Sequence, residues 1–484
     1  MNIKYLYTKI AAFLIAVPML FAGCTKSFEE LRIDPEGVLS AQPSSFLSNA
    51  LYRANSTFIY RGQSINNQLM QVTAGRTADN EIHRYVLKPL IYDQLWLTYS
   101  QIANIEEMLN LSIKIGDKNY TAIAYTLKAY MVSILTDTHG DIPFTEAFKG
   151  NQGIIRPVFD EQKLIYDTLL DNLETANGLY DLTKVLSGED ILFSANTSAA
   201  NIIKWKKFTN ALHIRLLMRV AHKSQVYEQK LRDILADPAT YPLMSSVAES
   251  AVIYHTNIAP NLNPFYNTTD LVFSSSVGFT EFFVNSMNVI GDPRLPLWAT
   301  KVSGTYRGVP TAYPFEDQDL VSGSSWSTYV NTLKKSNLFG SIIQYAEQEF
   351  ILAEACLKGY MNDDAKKHYD NGVKASCNHW GIATADIPAA FLSNPAIVYN
   401  GTLEQIITQK YYALFMNDFQ QWFEYRRTGF PVLGSGPSAQ NNGVLPVRIP
   451  YPTDIAAYNA VNYAAVVARN GKDDLNTKVW WQKP

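Results

Sequence analysis

The residues whose types and spacing could do chemistry are mostly carboxylates and arginines. Asp137, His139 and Asp141 alternate along the chain, and an extended segment would set all three on one side, as metal ligands are set. The same run reads as a turn after a helix, with Asp and Gly140 breaking the helix and Pro143 resuming an extended path. The turn is the expected reading. Glu347 and Glu354 lie two helical turns apart and share one face, as an acid pair would. Acidic residues on a helix flank are expected instead to be solvated or paired with neighbouring Lys. Gly434-Ser435-Gly436-Pro437-Ser438-Ala439 has the letters of a dinucleotide fingerprint, but Pro437 and the following Gln440-Asn441-Asn442-Gly443 open no helix to cradle a phosphate. Arg426 and Arg427, flanked by Tyr425 and Phe430, are expected to lock a helix end to the next segment, and Arg294 to bridge the turn set by Asp292-Pro293. The seven histidines are scattered. No catalytic residue, bound metal or cofactor is expected.

The elements that must position any site are helices. Ala124, Leu127, Met131 and Ile134 recur in steps of three and four, as do Trp205, Phe208, Leu212, Leu216 and Val220; Ile343, Ala346, Phe350, Ala353 and Leu357; and Leu403, Ile407, Tyr411 and Leu414. From Phe350 to Ser376 two helices meet across Gly359-Tyr360-Met361-Asn362, with small residues at Ala353, Ala355 and Ala365 and an aromatic at Tyr369, as in a tetratricopeptide-type pair. The fold class expected is mostly α. Between roughly Tyr241 and Asn337 the pattern turns to Pro, Gly, Ser, Asn and Tyr with little helical periodicity, and a second loop-rich stretch runs from Gly429 to Pro484. Long loops within a compact chain are usually functional.

At the N-terminus Lys4 and Lys9 precede fourteen uncharged residues, Ile10 to Gly23, and then Cys24. That stretch is too short to span a hydrocarbon layer and has the form of a cleaved secretory signal. Phe21-Ala22-Gly23-Cys24 resembles a bacterial lipobox, which makes Cys24 the expected lipidation site and the acyl chains the expected hold on the membrane. With 47% hydrophobic residues, 18% charged and a formal charge of −3, the chain lacks the basic excess that nucleic acid would demand. Cys356 and Cys377 fall on adjacent helices roughly 20 Å apart at about 1.5 Å per residue, too far for a disulfide. They are expected as buried free thiols.

Seven runs lie in order along the chain: Asp137-Thr138-His139-Gly140-Asp141-Ile142-Pro143-Phe144, Asp292-Pro293-Arg294-Leu295, Glu349-Phe350-Ile351-Leu352-Ala353-Glu354-Ala355, Gln409-Lys410-Tyr411, Glu424-Tyr425-Arg426-Arg427-Thr428-Gly429-Phe430-Pro431, Arg448-Ile449-Pro450-Tyr451-Pro452 and Lys478-Val479-Trp480-Trp481. This ordered set resembles the SusD/RagB family, particularly its second SusD-like subfamily. The resemblance implies a right-handed superhelix of tetratricopeptide-like helix pairs with a loop-rich ligand-binding region. It also implies a non-catalytic outer-membrane lipoprotein, facing the cell surface, that acts as a lid over a SusC-like TonB-dependent transporter and delivers an oligomeric nutrient. Glycans are the usual cargo of that family and peptides a variant; a surface glycosidase, whose paired carboxylates can lie far apart in sequence, is the alternative outside the binding class. The expected organisation is a signal peptide over 1–23, a lipidated tether over 24–45 and a SusD-like domain over 46–484. Within it 46–240 is helical, 241–340 a ligand-binding insertion, 341–430 helical and 431–484 loop-rich.

A sugar offers faces of C–H groups and rims of hydroxyls, so its receptor needs aromatic planes and hydrogen-bonding side chains. Aromatics on the helical stretches, Trp96, Trp205, Trp380 and Trp422, are expected in the core. Those in the long loops have less core to join. The candidate ligand contacts are Phe265, Tyr266, Tyr306, Arg307, Tyr313, Trp326 and Tyr329, with Tyr60, Arg61 and Tyr85 as a second wall.

Overall fold

The computed structural model describes residues 41–77, 80–266, 273, 275–321, 323–334 and 338–484. The expected leader, most of the tether and Cys24 fall outside them. Residues Pro43–Pro484 form one unit, whose body is built from helices packed in sequential pairs. The helices used below are α1 (Ser44–Arg61), α2 (Tyr99–Ile115), α3 (Lys118–His139), α4 (Gln162–Leu179), α5 (Ile202–Val220), α6 (Gln225–Ala236), α7 (Glu281–Val289), α8 (Tyr345–Leu357), α9 (Ala365–His379), α10 (Leu403–Ala413), α11 (Gln420–Thr428) and α12 (Ala460–Asn470). Consecutive members from α2 to α6 pack side by side, as do α8 and α9.

Local sequence accounts for these ends. Asp117 caps α3 by accepting from the Tyr120 amide, and Gly140, at a φ of 90°, ends it. Asp364 likewise caps α9 through the Lys366 amide. Trp205, Phe208, Leu212, Leu216 and Val220 are all wholly buried along one face of α5, each contributing about 1.5–3 kcal/mol by leaving water. The close crossing of α8 and α9 depends on Gly372, where a Cβ would stand 2.8 Å from the Phe350 ring. One periodic set frays at both ends: Ile343 ends a strand and Leu357 is 38% exposed.

Among the described residues, four short strands interrupt the helices. β1 (Thr73–Gly75) pairs antiparallel with β3 (Val277–Phe279), and β2 (Ala251–His255) with β4 (Leu338–Ile343). The insertion expected at 241–340 is therefore tied to the segment after α1 through β1–β3, while β2–β4 brings its two ends together. It also contains α7, which lacked a strong periodic signal because only Phe283, Val284 and Met287 turn inward, behind the Thr280 cap. In the C-terminal segment α12 was equally quiet, since Val466 is its one fully buried residue. Cys356 and Cys377 are free thiols, Cys377 buried as expected and Cys356 only partly covered because it lies at the end of its helix.

Candidate ligand-binding face

The residues that first suggested chemistry are committed to the interior. Asp137 and His139 belong to the last turn of α3 and do not share an extended segment with Asp141. Asp137 accepts from Tyr166 Oη at 2.6 Å and Trp481 Nε1 at 2.8 Å and pairs with Arg219. His139 Nδ1 lies 2.9 Å from the Ile449 carbonyl, and burial pushes its pKa down to about 3. Asp141 turns to the Gln162 amide and to Arg469. Three residues with three sets of partners make no metal site, and no group of three His, Cys, Asp or Glu placed for a metal occurs among the described residues.

Of the expectation that Glu347 and Glu354 are solvated or paired with neighbouring Lys, the Lys pair holds for Glu354 with Lys358, while solvation is corrected by the burial of both. Glu347 is 1% exposed and clasped by Arg215 at 2.7 and 2.5 Å, while Glu354, fully buried, receives Arg427 at 2.5 and 2.6 Å and Lys358 at 2.9 Å. Burial alone would raise the Glu354 pKa, but Arg427 and Lys358 overcome it and hold the carboxyl below its usual value. Glu424 joins Arg427, Lys410 and Arg219 in the same network. Arg426 lies 4.0 Å from the Trp422 ring centre and bonds the Asp137 carbonyl, and Arg294 closes the Asp292 turn at 2.6 and 2.9 Å. These arginines lock elements together as expected.

The loops present a different surface. The antiparallel pairing of Ala74 with Gly278 sets the segment after β1 beside β3. The loop strand around Val309 adds to β3 through its amide on the Phe279 carbonyl at 2.7 Å, and Ser327 accepts from the Phe279 amide at 2.9 Å. Arg307 and Ser327 bond each other through Ser327 N to Arg307 O at 2.8 Å and Arg307 N to Ser327 Oγ at 3.0 Å. Tyr313 donates to the Gly75 carbonyl at 2.8 Å, and Arg76 Nε to the Val321 carbonyl at 2.7 Å. A small core of Ala74, Val309, Tyr313 and Val321 results, with Trp326 half-buried against it.

The candidates divide between this small core and its surface. Phe265, Tyr313, Tyr329 and Tyr85 are buried, at 0%, 3%, 1% and 4% exposure, and offer no open face. Their rings supply the apolar contacts that order the loops: Tyr313 stacks on His83 at 4.8 Å, Phe265 on Tyr60 at 5.9 Å, and Tyr329 meets Phe279 at 5.0 Å. Burial pushes the His83 pKa down to about 3, so this imidazole is neutral and accepts from the Ala312 amide. Tyr266 is 46% exposed and Arg307 exposed; Tyr306, Trp326, Tyr60 and Arg61 are half-buried. A basic group stands over three of these rings: Arg307 over Trp326 at 5.6 Å, Lys301 over Tyr306 at 5.2 Å and Arg61 over Tyr60 at 5.1 Å. Phe315, 50% exposed with Arg84 at 5.9 Å, was not among the candidates, although it lies in the same loop and could have been included by the same reasoning. The structure thus brings Arg307, Tyr313 and Trp326 together around one small core, and Tyr60, Phe265 and Tyr329 around Phe273.

A larger open groove of about 890 Å³ runs along α6, lined by Glu174, Glu228, Lys230, Asp233 and Tyr241 and by none of the candidate residues. No helix among the described residues is long and apolar enough to cross a membrane.

The SusD-like_2 family, described as starch-binding associating with outer membrane, matches residues 35–452. No curated protein matches. Among solved structures, a SusD homologue from Bacteroides fragilis is 26% identical, with 92% of this chain and 100% of that one covered and a TM-score of 0.76. A chitin-binding protein is 25% identical over 92% of this chain and 100% of its own, with a TM-score of 0.77. A chitin-binding SusD homologue from Flavobacterium johnsoniae is 20% identical over 91% and 98%, with a TM-score of 0.76. With its family match running through nearly all of the helical body and its loops, the chain belongs to the SusD-like family.

Proposed function

We propose that the protein is a non-catalytic outer-membrane lipoprotein, acylated at Cys24 and facing the cell surface, that captures an oligosaccharide and hands it to a SusC-like TonB-dependent transporter. The observation that carries the reading is the set of half-exposed aromatics, each with a cation over its ring, on loops pinned by backbone hydrogen bonds to a helical body. Such a surface supplies planes for C–H faces and donors for hydroxyl rims with little reordering on binding. The chitin-binding relatives support a glycan as cargo. Ligand held between this protein and the transporter would favour the closed arrangement through contacts that the open one lacks, without any covalent step.

Calorimetric titration of the soluble form, beginning after Cys24, against chito-oligosaccharides, malto-oligosaccharides and mixed peptides tests this. Saturable heat with one glycan class and no product is expected, and Trp326→Ala should weaken that binding about tenfold through the lost ring contact. Product formation would make the protein an enzyme, and binding to peptides alone would replace the glycan. Unchanged affinity in both Trp326→Ala and Tyr306→Ala would move the site elsewhere.

A further inference from the structure

We infer that the glycan taken at the loop face is anionic, bearing carboxylate or sulfate groups that meet Arg307 and Lys301. The inference rests on the glycan-binding reading and adds the charge of the ligand. Three of the surface candidates, Trp326, Tyr306 and Tyr60, have a basic group over the ring within 5.6 Å. None of these three cations forms an ion pair with a carboxylate among the described residues. The buried arginines of the body are treated otherwise: Arg215, Arg219, Arg294 and Arg427 each have a carboxylate partner.

A charged oxygen beside an arginine makes a hydrogen bond roughly twice as strong as a neutral one. Geometry adds a reason. With Arg307 5.6 Å from the Trp326 ring centre, a sugar stacking on that ring brings its rim against a guanidinium fork suited to carboxylate or sulfate. The carboxylates of the same loop, Glu316, Asp317 and Asp319, lie on the helical turns that follow Phe315, and none is within ion-pair reach of Lys301 or Arg307. Arg84 itself is neutralised by Glu81 at 3.1 Å, which leaves Arg307 and Lys301 as the uncompensated charges of this face.

Paired ligands test the inference. Oligogalacturonate is titrated beside its carboxyl-reduced form, and chondroitin sulfate oligosaccharide beside its desulfated form, at low and high salt. At least one anionic member should bind about tenfold tighter than its neutral twin at low salt, with the preference shrinking as salt screens the charges. Whichever pair shows the preference identifies carboxylate or sulfate. Arg307→Gln, checked for an unchanged melting temperature, should lose most of it. Equal affinity within both pairs, or tighter binding of the neutral members, overturns the inference while glycan binding stands, and an undiminished preference in Arg307→Gln overturns the assigned contact. Absence of binding by all four and by the neutral chito- and malto-oligosaccharides fails the glycan reading itself.

Discussion

Glu354 has no contact with solvent and faces two cations, Arg427 from α11 and Lys358 from its own helix. Removing one partner of such a buried pair leaves a charge without compensation, which costs about 3–5 kcal/mol. Glu354→Ala should therefore destabilise the protein by an amount in that range, read from urea denaturation midpoints, with Glu424 moderating the loss by remaining beside Arg427. A loss below about 1 kcal/mol would mean that Arg427 finds water or another carboxylate at little cost. The sequence made Arg294, Arg426 and Arg427 legible as locks because their turn and helix-end settings are local. Glu347 and Glu354 were not legible in the same way. Their partners Arg215 and Arg427 lie 132 and 73 positions away, and nothing in a helical pattern announces that a charged flank will be covered by another helix.

At the scale of elements, the α8–α9 pair is held by more than its apolar seam. His368 on α9 stands 2.9 Å from Glu349 on α8 and 3.1 Å from Asp363 in the turn, so both imidazole nitrogens face carboxylates. Burial opposes protonation, yet the two carboxylates prevail and raise the pKa above its ordinary value. A group whose folded pKa is raised stabilises fully below its unfolded pKa, about 6.5 for His, and loses that contribution as pH rises through the folded value. Thermal stability should fall as pH is raised from the acid side of that value through neutrality, and His368→Gln should flatten this part of the profile. An identical slope in the variant would show that the imidazole is not charged in the folded state. Helices α3 and α5 were readable from the spacing of their apolar residues, although both are covered on every side over their C-terminal halves, polar residues included. Helices α7 and α12 were not, since a helix that buries three residues or one leaves little periodic trace.

For the molecule as a whole, the ordered runs along the chain carried the family, and the fold followed from it. Those runs coincide with the buried network itself: Asp137, Glu354, Lys410, Glu424 and Trp481 each belong to one of them and each contacts another element. The binding face was only half legible. Composition marked the loops as aromatic, but a loop must also bury rings to be ordered, and sequence alone does not divide those that pack from those that show. Phe265, Tyr313, Tyr329 and Tyr85 went inward, while Tyr266, Tyr306, Arg307 and Trp326 stayed within reach of solvent. The proposed site is the surface formed by residues 300–321 and 323–329 and the segment after β1, none of which lines the groove along α6. Hydrogen–deuterium exchange of the soluble protein, with and without a saturating oligosaccharide identified by titration, measures this directly. Slowed exchange in 300–329 and 73–88, with α6 unchanged, is the predicted result; protection along α6 with none in those loops would contradict the account.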